Sequence, residues 1–319
     1  MSVAAAIFAI SLAVCAYVYF GYPALLWILS RIATRPVRRD DILPPVTMVV
    51  ALHNEEDVIE EKLENALALD YPADRFEIVF ASDGSTDATN AIIARRGGLR
   101  PPGPSFRADL DSGRPQGAPT IRLLELDRAG KASALNAGVA AASGEIVVFT
   151  DANNFLERDA VRMIVRSFAD PAVGGVCGNK KLRVGHGADA TEKGENLYWK
   201  YDQWQKKLES RIGSIFAADG TLYAVRRSLY VPIVDPAQAD DIAISTRVVL
   251  QGYRLVFEPE AVAFEEAPAE GTAEFRRKVR VTNHSVRALL NLGSALWTSG
   301  FYSVELLSHK LVRHLIPFF

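Results

Sequence analysis

Three observations predict an α/β fold built on a parallel, nucleotide-binding sheet. From Val46 onward, short apolar β-branched runs alternate with stretches of helical periodicity, the pattern of strand–crossover–strand units. Carboxylates punctuate this pattern in Ala81-Ser-Asp-Gly-Ser-Thr-Asp87, Thr150-Asp-Ala-Asn-Asn154 and Ala239-Asp-Asp-Ile-Ala-Ile-Ser245, the first two just after an apolar run. The chain has 319 residues, 49% of them hydrophobic, enough for one large domain with appendages. Ligands of open α/β sheets bind at the carboxyl ends of the strands. Acids gathered there suit a divalent metal and a nucleotide diphosphate, with one acid left over as a base. The net charge of −2 gives no basic field for nucleic acid.

From Ser2 to Ser30 no residue is charged, and Arg31, Arg35, Arg38 and Arg39 follow at once. A spanning helix needs ~20 apolar residues, so residues 1–30 read as a transmembrane anchor. The arginines of the basic linker, 31–45, place that end, and the domain that follows it, in the cytoplasm, with the N-terminus outside. A cleaved signal peptide fits less well, because no basic residue precedes the run and its length exceeds the usual ~7–15 apolar residues. Cys15 and Cys177 lie in regions too different to pair, which suits a reducing compartment.

Val46 to Leu52 reads as a buried strand, and Asn54-Glu-Glu-Asp57 as the acidic first turn of a helix. That helix has an apolar face of Val58, Ile59, Lys62, Leu63, Ala66 and Leu67. Phe76 to Ala81 is the second strand and Thr86-Asp87 opens the second helix. Gly97 to Pro119, rich in Gly and Pro, reads as a long mobile loop. Ile121 to Leu126, Glu145 to Thr150 and Val173 to Leu182 are strands, with helices over Lys131–Ala142, Arg158–Phe168 and Thr191–Arg211. The aromatics of the last, including Tyr201 and Trp204, recur at helical spacing and read as packing. Asp241 to Gln251 is a helix stopped by Gly252, and Leu255 to Phe264 is extended. A basic helix begins near Thr272. Its continuation from Ala288 is amphipathic and reads as lying on a membrane surface. Ile316-Pro-Phe-Phe319 looks like the entry to a further apolar segment.

Several chemistries are unsupported. No Gly-x-Gly-x-x-Gly follows the first strand, and no P-loop or Gly-x-Ser-x-Gly elbow is present. The five histidines are too scattered for a zinc cluster.

The motifs resemble those of the family 2 glycosyltransferases with the GT-A fold, in the membrane-bound branch. They are Val49-Val-Ala-Leu-His-Asn-Glu-Glu56, Tyr71-Pro72, Ser82-Asp-Gly-Ser-Thr-Asp87, Gly130-Lys-Ala-Ser-Ala-Leu-Asn136, Phe149-Thr-Asp-Ala-Asn153, Asp240-Asp241 with Gly252-Tyr-Arg254, and Arg277-Lys-Val-Arg280. They run in the family's order from about Val46 to about Arg280. The resemblance implies a GT-A domain over 46–271, a Rossmann-like nucleotide-binding sheet, followed by basic, interfacial helices over 272–319. It also implies a metal-dependent inverting transfer from a nucleotide-sugar donor, a UDP-sugar, to a saccharide or lipid-linked acceptor at the membrane, in polysaccharide or glycolipid synthesis.

Carried over residue by residue, Asp83 contacts the nucleotide, although an Asp-Gly turn explains it equally well alone. Glu55 lies near the nucleotide, or is only a helix-start acid. Lys131 faces the diphosphate, or is a solvated lysine. Asp151 and Asn153 match an Asp-x-Asp pair for Mg²⁺ or Mn²⁺, with an amide in place of the second acid. Asp241 matches the base, and both Asp240 and Asp241 also suit a helix start. Arg277 and Arg280 match the arginines that close over the diphosphate, or form a solvated basic face. Val281 stands where that motif has Trp, which argues against long processive synthesis. Two rivals are a sugar-1-phosphate nucleotidyltransferase, for which the acidic His53-Asn-Glu-Glu stretch is a poor phosphate loop, and a non-enzymatic membrane scaffold.

Overall fold

Val46–Leu52 (β1) is apolar at every position but Thr47 because it is covered on both faces. In the computed structural model, which describes residues 2–97, 119–183, 190–266 and 272–312, β1 pairs in parallel with Phe76–Asp83 (β2) and Ile146–Phe149 (β4). Thr120–Leu126 (β3) pairs in parallel with β2. Alternate β1 residues serve different layers. Met48 and Val50 join Ile59 and Leu63 of helix α3 (Ile59–Leu67), while Val49 joins Leu135 and Val139 of helix α5 (Lys131–Ala141). The α5 layer sits so close that a Cβ on Gly138 would lie 2.5 Å from Val49 Cγ1.

The eight strands run β3-β2-β1-β4-β7-β6-β8-β5, completed by Asn154–Leu156 (β5), Val173–Arg183 (β6), Tyr223–Arg226 (β7) and Arg254–Glu266 (β8). The predicted parallel sheet holds for β1 to β4. Beyond β4 the sheet is mixed, with β7 antiparallel to β4 and β6, and β5 antiparallel to β8. Chain order reverses between β1 and β4, so the crevice outside their carboxyl ends is a topological switch point.

Two helix starts differ from expectation. Residues 54–57 form a turn, with Asn54 at φ 55°, and α3 begins at Ile59. The second helix, α4, is Thr89–Arg96 rather than starting at Thr86-Asp87. The same contacts explain both shifts. Glu55 N donates to Thr89 Oγ1 (2.8 Å), Thr86 N to Asn54 Oδ1 (2.8 Å) and Ala88 N to Glu56 Oε2 (2.9 Å). Tertiary cross-bracing of two loops overrides the local helix-start signal. The helix expected over Arg158–Phe168 is Ala160–Val165 (α6) followed by a 3₁₀ turn. The expected loop over Gly97–Pro119 falls on residues 98–118, outside the described residues.

The N-terminal helix runs through Val3–Ala16 (α1), a π turn and Tyr22–Ile32 (α2). Its Ala5–Ile32 portion is the one described helix long and apolar enough to cross a membrane. At ~1.5 Å per residue it is about 42 Å long, against a hydrocarbon core of ~30 Å. Its C-terminal half is attached to the domain. Tyr22 Oη donates to Glu209 Oε1 at 2.7 Å, and Leu26 packs on Leu208 of helix α7 (Ala190–Ile212). On α7, Trp204 is partly exposed and stacks on Tyr201, whose hydroxyl donates to Tyr19 O.

The C-terminal segment is divided. Leu289, Leu296, Tyr302 and Leu306 are buried against Phe216, Ala217 and Ile242, and Tyr302 Oη donates to Phe216 O at 2.6 Å. Leu290 and Trp297 are 65% and 67% exposed. Much of the expected interfacial tail is therefore domain core, with an apolar remainder facing out. Residues 313–319, including Ile316-Pro-Phe-Phe319, lie outside the described residues. A chain lacking residues 2–20 keeps Tyr22 and Leu26. It is expected to stay bound to anionic vesicles at low salt and to release partly at high salt, because surface charge is screened. Sedimentation without vesicles at either salt would count against the outward-facing remainder as a membrane contact.

Candidate active site

Several loops meet at the carboxyl ends of β1, β2 and β4. The first follows β2. Asp83 ends that strand, and its carboxylate is only 4% exposed. Oδ1 accepts from Ala129 N (2.7 Å) and Gly130 N (2.9 Å), Oδ2 pairs with Arg128 Nη1 (3.0 Å), and His53 Nδ1 meets Asp83 O at 2.9 Å. Gly84 permits this approach: its φ is 63°, and a Cβ there would lie 2.9 Å from Arg128 N. Gly130, at φ 93°, turns its N–H to Asp83 and starts α5. Asp83 thus shapes the loop from Arg128 to Lys131, and the exposed charge at this corner is Arg128.

The second group surrounds Lys131, the first residue of α5. Its Nζ lies 2.7 Å from Asp151 Oδ1, beyond the end of β4, and 3.2 Å from Asp240 Oδ2. Asp240 and Asp241 occupy the first turn of helix α8 (Asp240–Leu250). The ammonium is held well above the ordinary lysine range by Asp151 and Asp240, which outweigh its desolvation. Asp241 Oδ1 accepts from Ile242 N at 2.8 Å, and a Cβ on Gly220 would lie 3.6 Å from Asp241 Oδ2, so the loop before β7 passes beside this carboxylate. Beneath lies Tyr223, whose buried hydroxyl has no hydrogen-bond partner among the described residues. Burial pushes that phenol far up, and Asp240 and Asp241 add to the shift. Glu55, half-buried on the braced 54–57 turn, is pushed up by desolvation and then by the charges of Asp151 and Asp87.

The arginines sit on helix α9 (Thr272–Leu290). Arg277 Nη1 is 3.6 Å from Glu265 Oε1, and Arg280 lines an open groove with Arg276, Val279, Asn283 and His284. This helix is clamped beside the acids: Ala239 N donates to His284 O at 3.1 Å and Arg287 Nε to Asp235 Oδ2 at 2.7 Å.

The fold therefore gathers Glu55, Lys131, Asp151 and Asp241 around one crevice. Asp83 reaches it through its loop, and Arg277 and Arg280 stand on the flanking helix. Sequence reasoning missed Asp240 as a partner of Lys131 and Arg128 as a partner of Asp83, and it placed Lys62 on the inward face of α3 without its partners Thr150 and Asn154. Arg128 carried a signal, being two residues before the quoted Gly130-Lys131 motif.

Asp151 and Asn153 fit a cation such as Mg²⁺ or Mn²⁺ by the chemistry of their oxygens. A hard cation takes few protein ligands and completes its shell with phosphates and water. The Asn154 Oδ1 atom beside them is buried without a hydrogen-bond partner among the described residues. No cluster of three His, Cys, Asp or Glu side chains forms a self-sufficient metal site among those residues, so a cation held by Asp151 and Asn153 would need further oxygens from outside that set.

A mixed sheet with acids at its switch point and a lysine at a helix N-terminus defines a nucleotide-sugar transferase fold of the GT-A kind. The signature of Glycosyl transferase family 2 matches residues 47–231, and the chain belongs to that family. It is 28% identical over 245 residues to poly-beta-1,6-N-acetyl-D-glucosamine synthase of Staphylococcus aureus, and 30% identical over 248 residues to the probable glycosyltransferase YdaM of Bacillus subtilis. Each alignment covers 75% of this chain and 54% of the relative, so the chain spans about half the length of these proteins. Among solved structures, mannosyltransferase PcManGT of Pyrobaculum calidifontis, in complex with GDP-Man and Mn²⁺, superposes with a TM-score of 0.71 at 28% identity, covering 97% of this chain and 83% of that one. The S. aureus TarS 1-349 complex with UDP-GlcNAc has the same fold at a TM-score of 0.56 and 16% identity, covering 85% and 72%.

Proposed function

We propose that this chain is an inverting, membrane-anchored glycosyltransferase acting at the cytoplasmic face of the inner (plasma) membrane. It takes a sugar from a nucleotide-diphospho donor, a UDP-sugar, and places it on a saccharide or lipid-linked acceptor in polysaccharide or glycolipid synthesis. One observation carries the reading: Lys131, at the N-terminus of α5, bridges Asp151 and Asp240, with Asp241 next in the same helical turn. Helix N-termini and a lysine favour a diphosphate. A carboxylate beside them suits a base, and such a set is more than a scaffold needs.

Asp241 takes the acceptor hydroxyl proton as the acceptor oxygen attacks the anomeric carbon from the face opposite the diphosphate. The bond from that carbon to the diphosphate oxygen breaks, and its electron pair leaves with the nucleoside diphosphate. An α-linked donor gives a β-glycoside. Asp151 and Asn153 would hold Mg²⁺ or Mn²⁺, which supplies charge neutralisation at the leaving phosphates. Lys131, Arg277 and Arg280 add to it, and Arg128, on the loop shaped by Asp83, borders the nucleotide. Glu55 lines the same pocket. The attached apolar helix and the outward-facing Leu290 and Trp297 keep the acceptor site near the bilayer. The test is a panel of UDP-GlcNAc, UDP-Glc, UDP-Gal and GDP-Man with the membrane-embedded protein and a lipid extract, reading released nucleoside diphosphate. Release from a UDP-sugar is expected. Release from GDP-Man alone would overturn the donor class, and release from none would overturn the transferase reading.

Product length is a separate expectation. Val281 on α9 is 48% exposed and offers no flat aromatic face to a sugar ring. One or a few sugars per binding event are expected, in contrast to what the name of the S. aureus relative implies. Sizing early products with limiting acceptor checks this. Long polymer appearing while most acceptor is unused would refute it.

A further inference from the structure

Helix α3 carries a lysine where its periodicity asks for an apolar residue. Lys62 is 0% exposed. Burying an ammonium is costly, and an apolar side chain of similar length is normally as good for stability or better. Burial pushes this ammonium down to about 7, against the pull of the Asp151 carboxylate. The lysine has specific partners. Its Nζ donates to Thr150 Oγ1 at 3.3 Å and to the carbonyl oxygen of Asn154. Those residues immediately precede and follow Asp151-Ala-Asn153. Thr150 Oγ1 donates onward to Thr221 O at 2.9 Å, on the loop that leads into β7. Further along α3, Asn65 brackets the backbone of Leu156, donating to its carbonyl at 2.8 Å and accepting from its N–H at 2.9 Å.

We propose that Lys62 is a positioning residue: from beneath, it staples the two ends of the turn that carries Asp151 and Asn153, and so sets the spacing of their oxygens. The metal part of this inference rests on the proposed function, and the stapling part does not. The turn lies between two short strands; Asp151 and Asn153 are accessible, and of its three residues only Ala152 packs into the core. Charged or neutral, the amine donates to both oxygens, so the staple works on either side of its titration. The staple can be told from a simple charge effect by sign. Removing a positive charge near Asp151 would by itself tighten a cation's binding. Removing a staple loosens it.

The test uses the full chain in lipid nanodiscs, as wild type, Lys62→Met, Thr150→Val and Asn65→Ala. Two quantities are read: amide hydrogen exchange over residues 150–156 without ligands, and Mn²⁺ affinity by electron paramagnetic resonance with UDP present. In Lys62→Met, exchange over 151–154 is expected to rise about tenfold, the scale of losing one or two net hydrogen bonds, with β1 and β2 unchanged. Mn²⁺ binding should weaken several-fold. Thr150→Val, which keeps the lysine and the core shape, should move both readouts in the same direction by less. Asn65→Ala should speed exchange at Leu156 and leave Mn²⁺ affinity near wild type. Unchanged exchange over 151–154 in Lys62→Met overturns the proposal, as does tighter Mn²⁺ binding there. Equal weakening of Mn²⁺ binding in Asn65→Ala also overturns it, since the effect would then be generic loosening. If Lys62→Met does not fold, Thr150→Val decides by the same exchange criterion. If wild type binds no Mn²⁺ with UDP, the metal reading fails, and the exchange data still decide the role of Lys62.

Discussion

Asp241→Asn is expected to slow turnover by ~10²–10⁴-fold, the range for losing a general base, while nucleotide affinity stays near wild type. The substitution keeps the side chain's shape and its acceptor for Ile242 N, so α8 should still start at the same place. Asp240→Asn should behave differently. Asp240 shares Lys131 with Asp151, and losing its charge leaves the lysine more firmly on Asp151. The expected effect is on donor and metal affinity more than on the chemical step, seen as a raised donor KM with a smaller loss in kcat. Steady-state kinetics with nucleotide binding measured separately distinguish the two. A crippled kcat in Asp240→Asn beside a mild Asp241→Asn would exchange their assignments.

Chelation should abolish transfer, and Mn²⁺ or Mg²⁺ should restore it. The structure adds a reason to expect a steep dependence on metal concentration. Lys131 Nζ already lies 2.7 Å from Asp151 Oδ1, so a cation must share or displace that contact. Asn153 brings oxygen without charge, which leaves the site with less negative charge than a pair of acids. Asn153→Asp is therefore expected to keep activity and lower the metal concentration needed for half-maximal rate. Full activity in excess chelator would remove Asp151 and Asn153 from the role of metal ligands.

The strand β1 and the parallel order around it could be read from the sequence because they follow from local pattern. A strand covered on both faces reads as a near-continuous apolar run, and Val46–Leu52 does, with Thr47 its one polar residue and that hydroxyl donating to Glu77. Asp151 and the Asp240-Asp241 pair were legible for a related reason: each is written beside the element that carries it, at a strand end or a helix start. The short strands β5 and β7 were not. Neither has enough residues for a periodicity, and each exists because a distant strand supplies its hydrogen bonds, β8 for Asn154–Leu156 and β4 with β6 for Tyr223–Arg226. The tail was legible only in part, since an amphipathic pattern does not say which apolar residues meet the domain, and Leu296, Tyr302 and Leu306 meet Phe216 and Ala217.

The sequence by itself determined the α/β class, the presence of an apolar N-terminal helix and which residue types stand at the strand ends. Tertiary structure alone decided their pairings. It turned Asp83 inward onto the Gly130 loop, joined Lys131 to both Asp151 and Asp240, and drew Lys62 under the turn between Thr150 and Asn154. The physical reason is that a side chain's partner depends on which elements the sheet brings together. Local pattern records burial and capping, but not the partner that arrives from elsewhere in the chain.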